Sequence, residues 1–426
     1  MSVADSDVAA GDGEGAGPLD GRIMALNPFE PGFFADPYVH YARARDAARL
    51  HHTPVGVVVP RYEDCFAVLR APGMSVDEAR AVTSIPFPRP EAIDGREERM
   101  SRAMLNVDPP DHTRIRRLVS SAFTVRRVER LRDRVRELVA GLLDEVAAAG
   151  AGGEPVDLIG HLAFPLPFQV ITDMLGMPEG DRDQLRTWSH TLTRFLEPLT
   201  TPDQARQALE ASDHMERHLL DAIEWKRRNP ADDLLSALIA AEEDGDRLTA
   251  AELVDQVRLL YIAGHETTVN LIGNGTLALL RHPDEMARLV ADPGLDANAV
   301  DELLRYDSPV QLSRRIATTD VELAGEVLPA GTLFLTLLGG ANRDPARWGR
   351  SADELDLGRP GAAAHLSFGS GVHHCLGAAL ARLEGAEAVT ALVRRFPAME
   401  LATDEPDWNG RMVLRGLDTL PVALAA

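Results

Sequence analysis

A lone cysteine in a glycine-rich segment is the residue of this sequence best suited to chemistry. Cys375 lies within FGSGVHHCLGAALAR, residues 368–382, where three glycines flank it and a predicted helix follows. Glycine lets the backbone approach a flat ligand closely, and the amides at a helix start favour a thiolate over a thiol. An anionic sulfur in such a loop suits an iron ligand that donates electron density to oxygen.

Two other interpretations of this segment stay open at the level of the residues. His373 and His374 could belong to a zinc site, but zinc needs further ligands at a matching spacing, and no second pair is evident nearby. The cysteine could also be an unreactive buried thiol, which is the usual fate of a lone cysteine. Cys65 fits that description better, because it lies in a helical pattern without glycines.

A second candidate for chemistry is a polar stretch inside a long predicted helix. Thr249 and Glu252 have the spacing of a capping box, and the next proline is Pro283. These limits predict a helix of about 33 residues, roughly 50 Å long at its usual rise. AGHETT, residues 263–268, lies at its middle, where a buried helix should be apolar, and buried polar groups cost free energy unless they are partnered or used. The alternative is a local kink in which threonine hydroxyls bond to the helix backbone.

The framework around these two segments is predicted to be one domain, mainly α with a minor β part. Residues 1–22, rich in Gly, Ala and Asp, predict a disordered tail, and residues 23–426 predict the domain. Residues 72–100 show no clean period and predict a long loop. The remaining patterns predict a strand at 55–59, helices over most of 111–281, short strands within 318–340 and a helix over 376–395.

Composition limits the classes of function. The chain has 44 basic and 66 acidic residues and a net charge of −22, which argues against nucleic acid as a partner. Its two cysteines cannot form a disulfide framework, so a reducing compartment, the cytoplasm, is expected. No apolar run reaches about 18 residues, so no membrane anchoring is expected. The N-terminus lacks the basic-then-apolar pattern of a secretion signal. The protein is expected to be a monomer.

The cysteine segment resembles the haem-ligand loop of cytochromes P-450. That loop reads Phe-Gly-x-Gly-x-His-x-Cys-x-Gly and continues as Leu-Ala-Arg. Every fixed position is matched, namely by Phe368, Gly369, Gly371, His373, Cys375, Gly377, Leu380, Ala381 and Arg382. The resemblance implies the single-domain cytochrome P-450 fold, a triangular helical array around a buried haem b whose iron is ligated by Cys375. No other bound cofactor is implied.

Two further motifs support the resemblance. Glu302 and Arg305 resemble the Glu-x-x-Arg of the family's K helix, and Arg359 is placed where the family supplies a third partner. The implied role of this network is structural, since it fixes the loop that holds the haem. Taken alone, such a pair at i and i+3 would be a surface ion pair of little energetic value.

The stretch AGHETT resembles the oxygen-activating part of the family's I helix. The small residues Ala263 and Gly264 would let the helix pass close over one haem face. Glu266 and Thr267 match the acid–alcohol pair, in which a hydroxyl donates a hydrogen bond and a carboxylate relays protons from water. His265 is expected to orient neighbouring groups or to face solvent.

The carboxylates of the haem have four candidate partners. DPPDHTRIRR, residues 108–117, resembles the family's C-helix signature, which places His112 and Arg116 at the propionates. Arg315 matches the family's propionate arginine in the segment SRRIATTD, and His373 is the fourth candidate. Arginine suits a carboxylate because paired charge-assisted hydrogen bonds form between them.

The implied reaction is insertion of one O₂ atom into an apolar organic molecule by a soluble, bacterial type of monooxygenase active in secondary metabolism. Electrons are expected from NAD(P)H, used indirectly, through a ferredoxin reductase and a ferredoxin. The ferredoxin is expected to dock on the cysteine side, near Arg116, Arg117 and Arg382, because acidic ferredoxins favour clustered positive charge. The alternatives are a peroxide-driven peroxygenase and a non-catalytic haem sensor or carrier.

The substrate is the part of the function that the sequence determines least. By family topology, the distal pocket takes residues from the 76–100 loop, the region near Phe195, the long helix, residues 310–312 and the C-terminal segment. The candidate pocket residues are Phe195, Ile262, Ala263, Val310, Gln311, Leu312, Val413 and Leu414. These are mainly aliphatic, with Gln311 as a possible polar anchor, and they suit a terpenoid, steroid, fatty acid or macrolide.

Overall fold

The protein is mainly α-helical, with a minor β part, as predicted. The computed structural model describes residues 26–82, 103–177, 182–198, 201–243 and 246–424. The α-helices of this part are α1 (Pro37–Ala47), α2 (Tyr62–Arg70), α3 (Asp111–Ala122), α4 (Val125–Arg130), α5 (Arg132–Gly150), α6 (Pro165–Leu175), α7 (Arg182–Leu192), α8 (Pro202–Arg228), α9 (Leu234–Ala240), α10 (Ala250–Arg281), α11 (Pro283–Ala291), α12 (Asp296–Tyr306), α13 (Leu338–Ala341), α14 (Pro345–Trp348) and α15 (Ala378–Arg395).

The strands form small sheets beside the helices. They are β1 (His51–Thr53), β2 (Gly56–Val59), β3 (Met74–Ser75), β4 (Val156–Asp157), β5 (Glu242–Glu243), β6 (Asp246–Arg247), β7 (Leu312–Ala317), β8 (Val321–Leu323), β9 (Glu326–Leu328), β10 (Leu333–Leu337), β11 (Glu400–Leu401), β12 (Asp407–Trp408), β13 (Leu417–Thr419) and β14 (Pro421–Ala423). Five of them make the largest sheet, in the order β1-β2-β10-β7-β3, in which β2 and β10 are parallel.

The long helix α10 runs through the middle of the helical part. Its 32 residues confirm the predicted length, and the capping box forms, since Thr249 N–H donates to the Glu252 carboxylate (2.8 Å) and Glu252 N–H to the Thr249 hydroxyl (3.2 Å). The helix packs against α6, α8, α12 and α15. It is buried on most of its circumference, with Tyr261 and Val257 fully inaccessible. Polar side chains are also buried outside the stretch 263–268, among them Asp255, Arg258 and Asn270.

The other predicted elements are mostly confirmed. The run at 55–59 forms β2, and the segment 318–340 forms β8, β9 and β10, with turns at Gly325 and Gly331, both of which have positive φ. The helix after the cysteine begins at Ala378, two residues later than predicted. The predicted loop at 72–100 contains β3 and a 3₁₀ turn at Glu78–Arg80, and its part from 83 onward lies outside the described residues, as does the predicted tail.

Across the described ranges, no helix combines the length and the apolar character that a membrane crossing requires. The C-terminal strands β11 and β13 contact α10, and β3 and β10 of the largest sheet contact α2. The cavity described below is lined by residues of α10 and of the cysteine segment.

Candidate active site

A cavity of about 360 Å³ lies between α10 and the cysteine segment. Cys375 is at one wall, and Ala263, Gly264 and Thr267 of α10 are at another. Most of the remaining wall is apolar and includes Ile171, Leu196, Leu259, Leu271, Leu304 and Leu380. A largely apolar cavity with a few convergent polar groups is the usual form of a small-molecule or cofactor site.

The cysteine loop is held in place by its own backbone and by its glycines. The N–H of Cys375 donates to the carbonyl of Phe368 (2.9 Å), which closes the loop into a tight turn. Gly369 and Gly371 both have positive φ, and a Cβ at Gly371 would lie 2.4 Å from the Leu69 carbonyl oxygen. Larger residues would therefore push this loop away from α2. Cys375, Phe368, Gly369, His373 and Gly377 all line the cavity.

The Cys375 side chain is exposed to the cavity, and the protein atoms around it nevertheless desolvate the sulfur. Burial raises the pKa of the thiol, although the N–H groups of Gly377 and Ala378 and the Arg116 guanidinium act in the opposite direction. The helix-start amides thus favour the thiolate as predicted, but burial outweighs them. A metal cation on the sulfur would supply the missing positive charge, since a coordinated thiol is deprotonated.

Four side chains from three separate segments converge at one rim of the cavity. The rings of His112 and His373 lie 4.2 Å apart, and Arg116 and Arg315 flank the cavity beside them. Burial, followed by Arg315, lowers the pKa of His373 to about 3, and burial, followed by Arg314, lowers the pKa of Arg315 to about 10. Asp108 is an acidic side chain near these residues, and its charge raises the pKa values of His112, Arg315 and His373 against the effect of burial. Such clustered positive charge calls for an anionic partner.

Unpaired donors at the same rim indicate the chemistry of that partner. The Nε2 atoms of His112 and His373 are buried and have no hydrogen-bond partner among the described residues. Buried polar atoms are normally paired, so both nitrogens suit a ligand that accepts hydrogen bonds. The donor set therefore fits a flat apolar ligand that carries carboxylates, as a haem with its two propionates does. Cys375 lines the same cavity and would supply a sulfur ligand to the iron of such a group.

The polar stretch of α10 is hydrogen-bonded within the helix. The Thr267 hydroxyl donates to the Ala263 carbonyl (2.7 Å), and the Thr268 hydroxyl donates to the Gly264 carbonyl (3.2 Å). Bonding of threonine hydroxyls to the helix backbone is part of the alternative interpretation of this stretch, a local kink. Helix α10 continues through the stretch without a break. Both threonines nevertheless line the cavity, so a hydroxyl can turn from the backbone toward a ligand there.

The structure brings Glu302, Arg305 and Arg359 together. Arg305 binds both Glu302 oxygens (2.7 and 2.8 Å), and Arg359 binds one of them (3.1 Å). Arg305 also donates to the carbonyls of Asn342, Ala352 and Glu354. The side chains of Glu302 and Arg305 are fully inaccessible to solvent. This is a buried network that ties α12 to the segment before the cysteine.

Comparison with known proteins settles the family. A model of the family described as Cytochrome P450 matches residues 85–292 and 295–417. The chain belongs to the cytochrome P450 family.

Its P450 relatives match it over nearly its whole length. It is 42% identical over 409 residues to the cytochrome P450 monooxygenase PikC of Streptomyces venezuelae, covering 94% of each chain. It is 39% identical over 404 residues to the 6-deoxyerythronolide B hydroxylase of Saccharopolyspora erythraea, covering 92% of this chain and 97% of the relative. The solved structure of PksS, the P450 of the Bacillus subtilis bacillaene polyketide synthase, matches with a TM-score of 0.84 and 36% identity over 94% of this chain and all of PksS. The chain is therefore a P450 oxidoreductase of bacterial type.

Glu266, the expected acid of this P450, does not line the cavity. Its carboxylate accepts from Arg411 Nη1 (2.8 Å) and lies 3.3 Å from His190 Nδ1, and Arg411 also reaches His190 Nε2 (3.1 Å). Burial opposes its ionisation, but His190 and Arg411 lower the pKa of Glu266 to about 2. The acid is thus a carboxylate that is held by two partners that the sequence did not indicate, because nothing in their spacing links them to Glu266.

His265 is buried rather than facing solvent, which corrects that part of the expectation. Its ring packs edge-on against Phe164, with centroids 4.4 Å apart, and neither ring nitrogen has a partner within the part of the chain that the structure describes. Burial lowers the pKa of His265 to about 4, so the ring is neutral at neutral pH. It packs as part of the core on the side of α10 that does not line the cavity.

Two of the candidate pocket residues are placed elsewhere. Phe195 packs against the main core, and its neighbour Leu196 lines the cavity instead. The Gln311 amide donates to the Ser308 carbonyl (2.6 Å) and the Tyr38 hydroxyl (3.1 Å), so it is not a polar anchor for a substrate. The other candidates do line the cavity, namely Ile262, Ala263, Val310, Leu312, Val413 and Leu414.

The zinc alternative gains no support from the geometry. In the described ranges, no group of three or more His, Cys, Asp or Glu side chains could hold a metal ion. The ring of His373 lies beside that of His112, with centroids 4.2 Å apart. The backbone carbonyl of His374 accepts from Arg116 Nη2 (2.7 Å).

Proposed function

We propose that this P450 is a haem-thiolate monooxygenase that inserts one atom of O₂ into an apolar organic molecule. The observation that carries the proposal is the position of Cys375, which lines the same largely apolar cavity as Thr267 of α10. Haem b, when bound, supplies the binding and reductive activation of O₂. The chain's own residues then hold the group, exclude water and deliver protons.

The residues that hold haem b are assigned from the donor set. Cys375 is the iron ligand, and Arg116, Arg315, His112 and His373 are the partners of the propionates. The neutral state of His373, together with its unpaired Nε2, supports a role as a hydrogen-bond donor rather than as a counter-charge. Ala263 and Gly264 leave room beside α10, since a Cβ at Gly264 would meet its nearest atom, on Ile171, at 3.9 Å.

Proton delivery is assigned to Thr267 and Glu266. The Thr267 hydroxyl is at the cavity wall and needs only to leave the Ala263 carbonyl to donate toward a ligand. Glu266 is held by Arg411 and His190 outside the cavity lining, so a relay through this carboxylate requires release from one of them. The relay is thus expected to depend on movement of a side chain that is anchored in this structure.

Thr267→Ala is expected to keep haem binding and to uncouple turnover. Without the hydroxyl, proton delivery is misdirected, and product formed per NAD(P)H should fall at least about tenfold while peroxide release rises. The measurement is the ratio of product and peroxide to NAD(P)H consumed. Thr267→Ser, which keeps the hydroxyl, is the matched control and should retain most of the coupling. Equal coupling in the alanine and wild-type proteins would exclude this role for Thr267.

Electron supply is assigned to a ferredoxin that docks on the cysteine side. Arg117 is exposed on α3, next in sequence to Arg116, which donates to the cysteine loop at His374 (2.7 Å). Arg382, in α15, binds Asp301 (2.7 Å). Arg116 also lines the cavity, so its replacement would disturb the cofactor site as well as the surface. Arg117 is therefore the cleaner probe of docking.

Arg117→Glu is expected to slow electron transfer from an acidic ferredoxin by about tenfold at low ionic strength. The difference should shrink at high salt, because screening removes the attraction between exposed charges. Stopped-flow reduction of the haem at two salt concentrations measures both effects. Arg206→Glu, on α8, is the matched control and should reduce at the wild-type rate. If Arg117→Glu and wild type reduce equally fast at low salt, docking does not use this face.

The substrate is assigned to the apolar scaffolds of the size that bacterial P450s of secondary metabolism oxidise. The aliphatic cavity wall supports this class, and so do the relatives, of which one is named for 6-deoxyerythronolide B and another for a polyketide synthase. The test supplies NADPH, a ferredoxin and its reductase, and isotopically labelled O₂ with 6-deoxyerythronolide B, testosterone or myristic acid. A product that carries one labelled oxygen is the expected result.

Other outcomes of this test distinguish the two alternatives. Product that forms with hydrogen peroxide alone, and not with NADPH and the redox proteins, would make the chain a peroxygenase. Tight spectral binding of a compound without any product under either condition would favour a carrier or sensor. The presence of both Glu266 and Thr267 in α10 favours the monooxygenase, since a peroxide-driven enzyme needs no proton relay for O₂.

A further inference from the structure

We propose that Glu197 is a positioning residue that holds residues 411–414, here called the C-terminal loop, as one wall of the substrate cavity. The proposal rests on the proposed function in one respect, namely that the cavity takes a substrate. Glu197 follows a 3₁₀ turn (Thr193–Leu196) at the end of α7, more than 200 residues before the C-terminal loop in the chain. It does not itself line the cavity.

Glu197 binds three consecutive backbone N–H groups of the C-terminal loop. Its Oε2 accepts from Met412 (2.8 Å) and Val413 (3.0 Å), and its Oε1 accepts from Leu414 (3.0 Å). Only 4% of the Glu197 side chain is exposed, so these bonds are shielded from water. Three successive N–H groups that point at one carboxylate form a concave anion site, and charge-assisted bonds of this kind are among the stronger ones in proteins.

The opposite edge of the C-terminal loop is paired with the segment before β7. Gln311 N–H donates to the Val413 carbonyl (2.9 Å), and Arg415 N–H donates to the Pro309 carbonyl (2.9 Å). The loop is therefore bound along both edges, by backbone on one side and by Glu197 on the other. Val413 and Leu414 are left with their side chains in the cavity wall.

The helical segment that precedes Glu197 also binds Arg411, the first residue of the C-terminal loop. Arg411 donates to the Thr193 hydroxyl (2.7 Å) and contacts His190 (3.1 Å). His190, Thr193 and Glu197 thus recur on one side of the same helical segment, and Leu196 beside them lines the cavity. Glu197 consequently joins two walls of the cavity that come from distant parts of the chain.

Glu197→Gln replaces one of the two acceptor oxygens by an NH₂ group, so at least one of the three N–H groups of the C-terminal loop then faces a donor instead of an acceptor. Such groups either stay unpaired at a cost in free energy or move until water reaches them, and either outcome releases the loop. The side chains of Val413 and Leu414 would then no longer hold one position against a bound molecule. A ligand that touches this wall should lose affinity, and a ligand that touches only the iron should not.

Hydrogen exchange tests the contact directly. In Glu197→Gln, amide exchange in the peptide 409–416 should be about 10- to 100-fold faster than in the wild type. Glu210→Gln, which changes an exposed glutamate on α8, is the matched control and should leave exchange of this peptide unchanged. Unchanged exchange in Glu197→Gln would overturn the proposal. This readout does not depend on the chemistry at the iron, so it is separate from any failure of the proposed function.

Two azoles of different size test the consequence for the cavity. Clotrimazole fills a cavity with its phenyl rings, whereas imidazole binds the haem iron with little contact to the walls. In haem-loaded Glu197→Gln, the Kd of clotrimazole from spectral titration should rise by about tenfold and that of imidazole by less than about twofold. If the loop is released but both azoles keep their affinity, or lose it equally, Glu197 does not shape the cavity. Failure to bind either azole in the wild type as well would count against the proposed function instead.

A double variant shows whether Glu197 acts through the loop. Leu414→Ala removes a wall side chain itself. If Glu197 works by placing that side chain, Glu197→Gln added to Leu414→Ala should weaken clotrimazole far less than it does alone. Fully additive losses would overturn the assignment. Should the glutamine variant not accumulate, Glu197→Asp, one methylene shorter, carries the same measurements and is expected to shift them in the same direction by less.

Discussion

Replacement of Cys375 by serine is expected to abolish the strongly red-shifted Soret band of the reduced, carbon monoxide-bound protein. The band requires a thiolate ligand on the haem iron, and a serine hydroxyl in the same loop cannot supply one. The Gly369 and Gly371 turns and the N–H bond from residue 375 to Phe368 involve only backbone, so the loop itself should persist. NAD(P)H-dependent product formation should fall to background. Absorption spectra of equal amounts of folded protein provide the measurement.

The second cysteine offers a matched control for this experiment. Cys65 is fully buried in α2, and its thiol donates to the Val59 carbonyl (3.0 Å). Cys65→Ser should keep the red-shifted band, because the sulfur does not line the cavity and burial raises the pKa of this thiol as well. A red-shifted band that survives Cys375→Ser, or one that Cys65→Ser removes, would show that the iron ligand has been misassigned.

Glu302→Ala is expected to destabilise the fold by about 3–5 kcal/mol, because it leaves the fully buried Arg305 without its counter-charge. Arg359 would lose its bond to the same carboxylate, and the N–H of Asp356 would lose its acceptor. The free energy of unfolding, from chemical denaturation followed by circular dichroism, provides the measurement. Haem content should fall with it, since the network ties α12 to the segment that leads into the cysteine loop.

An exposed pair of the same spacing is the control for Glu302. Glu137 lies 3.6 Å from Arg134, with side chains 71% and 49% exposed, so Glu137→Ala should change stability by less than about 1 kcal/mol. If Glu302→Ala and Glu137→Ala cost the same, the buried network does not carry the stability assigned to it. The comparison separates burial from spacing, because both pairs are three residues apart on a helix.

The parts of this structure that the sequence predicted well are those in which the information is local. The length of α10 follows from a capping box and a proline, and the turn before α15 follows from glycines that need positive φ. Polar residues inside an apolar helix are equally visible, which is why AGHETT stood out. In each case, the chemistry of neighbouring residues limits the backbone without help from the rest of the chain.

The misses concern contacts between distant segments. Leu196 lines the cavity in place of Phe195. Both residues lie in a 3₁₀ turn, in which side chains follow one another at three residues per turn instead of 3.6. Gln311 lies beside β7 next to two cavity residues, yet its amide turns to Tyr38, which is 273 positions away. His190 and Arg411 meet Glu266 only after three elements have packed together. No spacing in the sequence encodes these partners.

The cluster of His112, Arg116, Arg315 and His373 should affect the folding of the newly made chain before haem binds. Before an anionic ligand binds, the two guanidinium groups of the cluster lie beside the cavity, and the buried Nε2 atoms of His112 and His373 have no partner among the described residues. Desolvated charges and unpaired buried donors both work against the folded state. A ligand that binds the folded state alone shifts the folding equilibrium by mass action, so haem would act as a folding partner. In a cell short of haem, newly made chains should therefore be removed by proteases, and the abundance of the protein should follow the supply of haem as much as the rate of translation.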